Sequence, residues 1–249
     1  MEITFYFLLP IIAFLYATVG HGGASGYLAL MGIYAFTPEE MRPTALMLNL
    51  FVAGIAFIHF YRSGFFKPKT FIYFASASIP MAFLGGTMQL DASIYKLILG
   101  LFLLISVAKM SGILNLIFTK QNYDTESKTA QLPIGILAGG AIGLFSGLIG
   151  IGGGIILSPV ILLLRWGTTK EAAAVSALFI WVNSFAGLIG TYSKDGLVLN
   201  QYWKLMVVLV IIGGFIGGFI GSKKLNNKIL RYLLCFLLLT AAIKLIFKL

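Results

Sequence analysis

Eight carboxylates are spread along this chain: Glu2, Glu39, Glu40, Asp91, Asp124, Glu126, Glu171 and Asp195. Each falls in an expected loop or at a helix end, so no pair is placed for general acid–base work or for a metal. The one cysteine, Cys235, sits in an apolar run, where a buried small hydrophobe is the expected role. It can form no internal disulfide, and no cysteine cluster exists for zinc or an iron–sulfur group. His21-Gly22-Gly23-Ala24-Ser25 has the composition of an esterase oxyanion loop, but no G-x-S-x-G elbow accompanies it. The glycine runs lack the lysine of a phosphate-binding loop. Enzyme chemistry, a cofactor and a metal are therefore not expected.

The residue types do suit anion binding by backbone. Gly150 to Pro159 reads G-I-G-G-G-I-I-L-S-P, four glycines in five residues, within an uncharged run from Leu132 to Leu164. A second run, Gly20 to Gly26 (G-H-G-G-A-S-G), also follows a long apolar stretch. Dense glycine weakens a helix, because glycine loses the most backbone entropy on ordering. A helix restarting after such a break exposes unpaired N–H groups at the positive end of its dipole. Glycine lets an oxyanion approach them. Two breaks at matching positions in two halves point to a transporter's substrate site.

The expected lining is Gly22, Gly23 and Ser25 from the first break and Gly152, Gly153 and Gly154 from the second. Asn49, Ser176 and Asn183 are polar groups inside apolar helices and join it. For the amides, donation to a substrate and an interhelical hydrogen bond of about 1 kcal/mol are both open. Ser146 and Ser158 flank the second break as further donors. His21 is the titratable side chain within a break; its candidate roles are pH sensing, anion pairing, or a neutral hydrogen-bonded imidazole.

The elements that position these residues are membrane helices. The chain is 59% hydrophobic and 10% charged, against about 25% charged in a soluble domain. The fold class expected is an all-α polytopic membrane protein. A net charge of +10 would suit nucleic acid in a soluble protein. Here lysine and arginine fall in short loops and helix ends, where they set topology and meet anionic lipid, so the partner expected is the bilayer. The start, M-E-I-T-F, lacks the basic region of a cleaved signal peptide, and the first helix is expected to stay.

The chain divides into a first transmembrane repeat at 1–118, a polar linker at 119–131 and a second repeat at 132–249. Each repeat has about five segments, the first two joined by a glycine break. Gly22-Gly23 matches Gly152-Gly153 at an offset of 130. Glu39, Ala45-Leu46 and Gly85-Gly86 match Glu171, Ala177-Leu178 and Gly217-Gly218 at 132, and Lys109 matches Lys244 at 135. Near-constant offsets mark an internal duplication. Arg62, Lys67 and Lys69 fill one loop of the first half, whereas Lys223, Lys224, Lys228 and Arg231 fill the non-equivalent loop of the second. Equivalent loops thus prefer opposite sides, which predicts inverted-topology repeats with the N-terminus outside, the linker cytoplasmic and the C-terminus outside. Gly85-Gly86, Gly213-Gly214 and Gly217-Gly218 are expected to serve close helix packing.

The motif Gly150-Ile151-Gly152-Gly153-Gly154…Pro159, with its partner Gly20-His21-Gly22-Gly23, resembles the sulfite exporter TauE/SafE family, also called the toluene-sulfonate uptake permeases. Thr44-Ala45-Leu46 and Val175-Ser176-Ala177-Leu178 are similar to that family as well, and the resemblance spans nearly the whole chain. It implies a secondary transporter, exporter or importer, of a small organosulfur or sulfur-oxyanion substrate such as sulfite, sulfonate or sulfoacetate. The implied mechanism is alternating access, in a prokaryotic inner membrane and without a cofactor. An anion channel-like pore or a non-transporting membrane subunit is the alternative; neither would show saturable exchange. Two departures make the half-sites non-equivalent: His21 and Ala24-Ser25 stand where the second break is nearly pure glycine, and no proline matches Pro159. A homo-oligomer is compatible with this reading. The coupling ion is left open, although a carboxylate proton relay is disfavoured.

Overall fold

The structure is a computed structural model that describes residues 3–111, 129–223 and 228–247. The greater part of the linker, with Asp124 and Glu126, lies outside the described residues, as do the side chains of Lys109 and Cys235. All regular structure among the described residues is helical: α1 (Ile3–Thr18), α2 (Ala24–Ile33), α3 (Pro38–Arg62), α4 (Pro68–Thr87), α5 (Ala92–Ser111), α6 (Leu132–Ile149), α7 (Gly154–Leu163), α8 (Thr169–Asp195), α9 (Trp203–Lys223) and α10 (Lys228–Phe247). Five of these, α3, α4, α6, α8 and α9, are long and apolar enough to cross a bilayer. The arms α2 and α7 have ten residues each, or about 15 Å, half a bilayer core.

Local chemistry sets the same boundaries in both halves. Thr37 caps α3 and Thr168 caps α8, each in a capping box with the acid three residues on, Glu40 and Glu171. The structural counterpart of Glu171 is therefore Glu40, one residue beyond the Glu39 that a constant offset of 132 selects. The arms also end alike. Ala35 (φ 56°) and Arg165 (φ 58°) are left-handed. Beside them Phe36 N–H donates to Met31 O at 3.0 Å and Trp166 N–H to Ile161 O at 2.9 Å. This is a Schellman cap. A side chain in that conformation costs about 1–2 kcal/mol, and both halves retain it.

The first arm turns back on the helix before it. Tyr16 OH lies 2.7 Å from Ser25 Oγ, and Phe5, at the start of α1, packs on Tyr34 and Phe36 beyond the end of α2. α1 and α2 thus form a re-entrant hairpin with the glycine break at its tip. The expected five segments per repeat resolve into one hairpin followed by three long or moderately long helices. The hairpin turns near the end of α9, where Thr18 packs beside Gly221, and the returning glycines touch α8 and α3, Gly20 at Ala173 and Gly22 at Asn49.

Contacts define the two ends of the bundle. At one end Tyr6 meets Tyr202 and Lys244 Nζ donates to Ile33 O. At the other, Lys67 pairs with Glu171 at 3.1 Å, and Lys170 Nζ donates to Ser222 O. α1 packs on α9 as α6 packs on α4; α3 packs on α9 as α8 packs on α4; α3 and α8 pack on each other, and so do α5 and α10. Exchanging the halves exchanges these pairs.

Glycine spacing explains how closely the hairpins dock. Gly135, Gly139, Gly143 and Gly147 recur every fourth residue on α6, against Tyr73, Phe74, Ser78 and Ala82 of α4. Gly213, Gly217 and Gly221 do the same on α9, facing the carbonyls of Pro10, Phe14 and Thr18. A Cβ at any of these seven positions would strike backbone or the Tyr73 side chain. Small residues at this spacing let helix backbones approach without a hydrophobic drive between them. The expected packing role of Gly85-Gly86, Gly213-Gly214 and Gly217-Gly218 is what the structure shows, Gly214 and Gly218 packing on Val52, Ala56 and His59 of α3.

Candidate functional site

The two breaks meet at the centre of the molecule. Asn49 and Ile180 are each the twelfth residue of their helices, α3 and α8, and therefore lie near mid-length. A Cβ at Gly22 would overlap Asn49 Oδ1 and approach Ile180 Cγ2 to 3.1 Å. A Cβ at Gly152 would lie 2.6 Å from Asn49 Nδ2 and 2.8 Å from Ile180 Cγ2. Both hairpin tips thus touch the same two side chains. Left-handed backbone is required at Gly20, Gly23, Gly150, Gly152 and Gly153, with φ between 74° and 96°. Only glycine adopts it freely.

Asn49 is fully buried and binds both breaks. Its Oδ1 accepts from Ala24 N–H, the first residue of α2, at 3.1 Å. Its Nδ2 donates to Ile151 O of the second break at 3.5 Å and to Ser184 Oγ at 3.3 Å. The amide oxygen therefore occupies the position where the start of α2 would receive an anion.

His21 is 6% exposed and also joins the breaks. Its Nδ1 lies 2.9 Å from Val19 O and its Nε2 3.0 Å from Gly154 O. Ser158 Oγ is 3.3 Å from the same Nε2 and 2.8 Å from Ser176 Oγ. A polar chain thus runs from the first break through α7 to α8.

Of the residues expected from sequence, His21, Gly22, Asn49, Gly152, Gly154 and Ser176 come together in this centre. Gly23 and Gly153 hold the turns just before α2 and α7. Ser25 is held by Tyr16 on α1. Asn183 is buried, but its Nδ2 donates to Phe179 O of its own helix at 2.7 Å and its Oδ1 has no partner among the described residues. The neighbouring Ser184 makes the contact to Asn49. Sequence reasoning passed over Tyr27, whose fully buried hydroxyl would lie 2.6 Å from a Cβ on Gly23 and has no partner among the described residues. A tyrosine one turn into a ten-residue arm whose other polar side chain is Ser25 is the signal that marks it. Arg42 was also passed over. Its backbone oxygen would lie 3.1 Å from a Cβ on Gly150, and its guanidinium donates to Met88 O at 2.7 Å, to Thr191 Oγ1 at 2.9 Å and to Gly86 O.

The centre combines two restarted helices, amide and hydroxyl groups, and one imidazole. No group of three His, Cys, Asp or Glu among the described residues could hold a metal. An apolar groove between α4 and α8, lined by Ile79, Phe83, Trp181 and Phe185 among others, lies on the outer surface.

Residues 6–245 match the family described as sulfite exporter TauE/SafE. The chain is 37% identical over 238 residues to a probable membrane transporter protein, y4hK, of Sinorhizobium fredii, covering 95% of this chain and 94% of that one. It is 28% identical over 249 residues to a probable membrane transporter protein, MJ0441, of Methanocaldococcus jannaschii, covering 92% and 90%. No solved structure matches. With a re-entrant helical bundle, five spans long enough for a bilayer and a family match over nearly its whole length, this chain is a multi-pass membrane transporter of the sulfite exporter TauE/SafE family.

Proposed function

We propose that the chain moves a small sulfur oxyanion, such as sulfite, a sulfonate or sulfoacetate, by alternating access, with its site where the two breaks meet. The observation that carries this is the seat of Asn49 Oδ1 on the first N–H of α2. That oxygen holds the place of a substrate oxygen at a positive helix end. A second, independent observation is the buried Tyr27 hydroxyl against Gly23, a donor with no partner among the described residues. Substrate oxygens would take over the start of α2, Asn49 Nδ2 would turn from Ile151 O to donate to them, and Tyr27 OH would gain an acceptor. The sulfur-oxyanion class rests on the family's description; the relatives' names say only membrane transporter.

The same proposal orients the molecule. One hairpin and three crossings per repeat is an odd count, so the repeats are inverted about the bilayer. The end bearing Arg62, Lys67, Lys69, Lys170 and Lys223 faces the cytoplasm, in a prokaryotic inner membrane.

The test is thermal stabilisation of the purified protein by sulfite, sulfate, sulfonates, carboxylates and simple cations. A ligand of the folded state at a hundredfold excess over its Kd adds about 2.7 kcal/mol, a shift of about 5–10 °C for a chain of this size. Stabilisation by a sulfur oxyanion that Tyr27→Phe weakens supports the assignment. Stabilisation by a cation or carboxylate alone, with no sulfur oxyanion active, refutes it. Transport without saturation would favour a channel-like pore.

A further inference from the structure

Both ring nitrogens of His21 face backbone carbonyls, Val19 O at 2.9 Å and Gly154 O at 3.0 Å. A carbonyl only accepts, and a neutral imidazole has a single N–H. In the Nδ1–H form, Nε2 can accept from Ser158 at 3.3 Å, but its lone pair still confronts Gly154 O. In the Nε2–H form, the Nδ1 lone pair confronts Val19 O. Only the imidazolium donates to both, and by doing so it ties the first break to the second. The N-termini of α2 and α7 oppose that cation when the centre is empty, because both helix dipoles are positive there. A bound anion removes the opposition.

We propose that His21 is a proton-binding site coupled to the anion: the transporter takes up one proton on His21 with each anion, and the imidazolium latches the two hairpins together around the substrate. The proposal rests on the anion site proposed above. It adds the co-substrate, a proton, and the atoms that hold it. The proton arrives at one ring nitrogen from solvent when the centre is open to one side, and leaves when it is open to the other. No bond other than N–H is made or broken.

The other ionisable groups of the elements packed around His21, among the described residues, are few. Tyr16 on α1 and Tyr27 on α2 are phenols, which ordinarily ionise near pH 10. α7 carries no titratable residue, and the buried middle of α8 contributes Ser176, Ile180 and Ser184. Arg42 on α3 lies by Gly150 and stays charged. Glu39, Glu40, Lys170 and Glu171 lie at helix ends, with Glu171 paired to Lys67.

The experiment is anion binding to the purified full chain across about pH 5 to 8, the range in which imidazole changes charge. The probes are sulfate and methanesulfonate, which stay ionised throughout; sulfite itself titrates there. Linkage is reciprocal, so affinity should fall about tenfold per pH unit on the alkaline side, with proton uptake on binding in weak buffer. His21→Gln keeps a donor but cannot titrate, and should bind with an affinity flat in pH. A flat profile in the wild type, or an unchanged slope in H21Q, overturns the proton site while leaving the anion site standing. Failure of every anion to bind at any pH overturns both.

If H21Q does not fold, nitrogen-15 spectra of the wild-type imidazoles decide. The chain has two histidines, and His59, edge-on to Phe215 and Phe219, is assigned by His59→Gln. Two protonated nitrogens on His21 with sulfate, and one without, supports the latch. A single neutral tautomer in both conditions refutes it.

Discussion

Asn49 is wedged between the hairpin tips, and a double-mutant cycle measures the wedge. At Gly22 the backbone is not left-handed, so alanine there meets only the space problem: Asn49 Oδ1, Asn49 Cγ at 2.8 Å and Ile180 Cγ2 at 3.1 Å. Overpacking of this kind costs about 1–3 kcal/mol. At Gly152 alanine meets Asn49 Nδ2 at 2.6 Å and Ile180 Cγ2 at 2.8 Å, on a backbone with φ 77°. The left-handed conformation adds about 1–2 kcal/mol, for a total of about 2–5 kcal/mol. Asn49→Ala alone leaves the Ala24 N–H buried without its acceptor, a loss of about 1–3 kcal/mol. It also removes the atoms that obstruct both glycine sites. Gly22→Ala in the Asn49→Ala background should therefore cost about 1–2 kcal/mol less than in the wild type. Gly152→Ala should recover part of its cost and keep the backbone part. The assay is reversible unfolding in detergent or bicelles, with each single and double variant measured in the same lipid. Additivity of Gly22→Ala and Asn49→Ala within about 0.5 kcal/mol would refute the wedge, and with it the claim that one amide joins both breaks.

Three further outcomes are expected. Gly217→Leu should fail to assemble, because its Cβ would overlap the Phe14 carbonyl; Gly64→Ala, with open space around it and φ 79°, should lower stability by only about 1 kcal/mol, and equal tolerance of the two would refute the close docking of α1 on α9. Lys244→Met should lower the melting temperature, since the ammonium caps the end of α2 at Ile33 O at 2.6 Å; a helix C-terminus gains about 0.3–1 kcal/mol from such a cation, and an unchanged melting curve would remove Lys244 from that role. In a Cys235→Ser background, a cysteine at Ser63 should be modified by an impermeant thiol reagent only from the cytoplasmic side and one at Asp91 only from outside; the reverse result would invert the molecule, and labelling of both from one side would end the three-crossing account.

The glycine breaks were legible because each is local. In each half the glycines lie within a few residues of one another, at 20–26 and at 150–154. The re-entrant course of α1 and α2 was not legible, because it depends on where Phe5 meets Tyr34 and Phe36, about thirty residues away. Asn49 could be singled out as a polar residue in an apolar helix, but its reach to both breaks depends on the crossing of α3 and α8. The same crossing gave Ser184 the contact expected of Asn183, since the amide of Asn183 turned to its own helix instead.

The two halves share a frame but not its chemistry. Gly20 packs against the fifth residue of α8, Ala173, and Gly150 against the fifth residue of α3, Arg42. One hairpin tip thus rests on an alanine and the other on an arginine whose guanidinium binds the end of α4 and Thr191. His21 has its counterpart in Ile151, whose carbonyl serves Asn49 while its side chain offers no hydrogen bond. A pair of hairpins with identical tips would prefer neither side of the membrane. Here the first tip carries the imidazole and the second is anchored beside Arg42, so the two can release their contacts under different conditions. Under the alternating access and the His21 proton site proposed above, that difference would let one gate respond to protonation while the other stays shut.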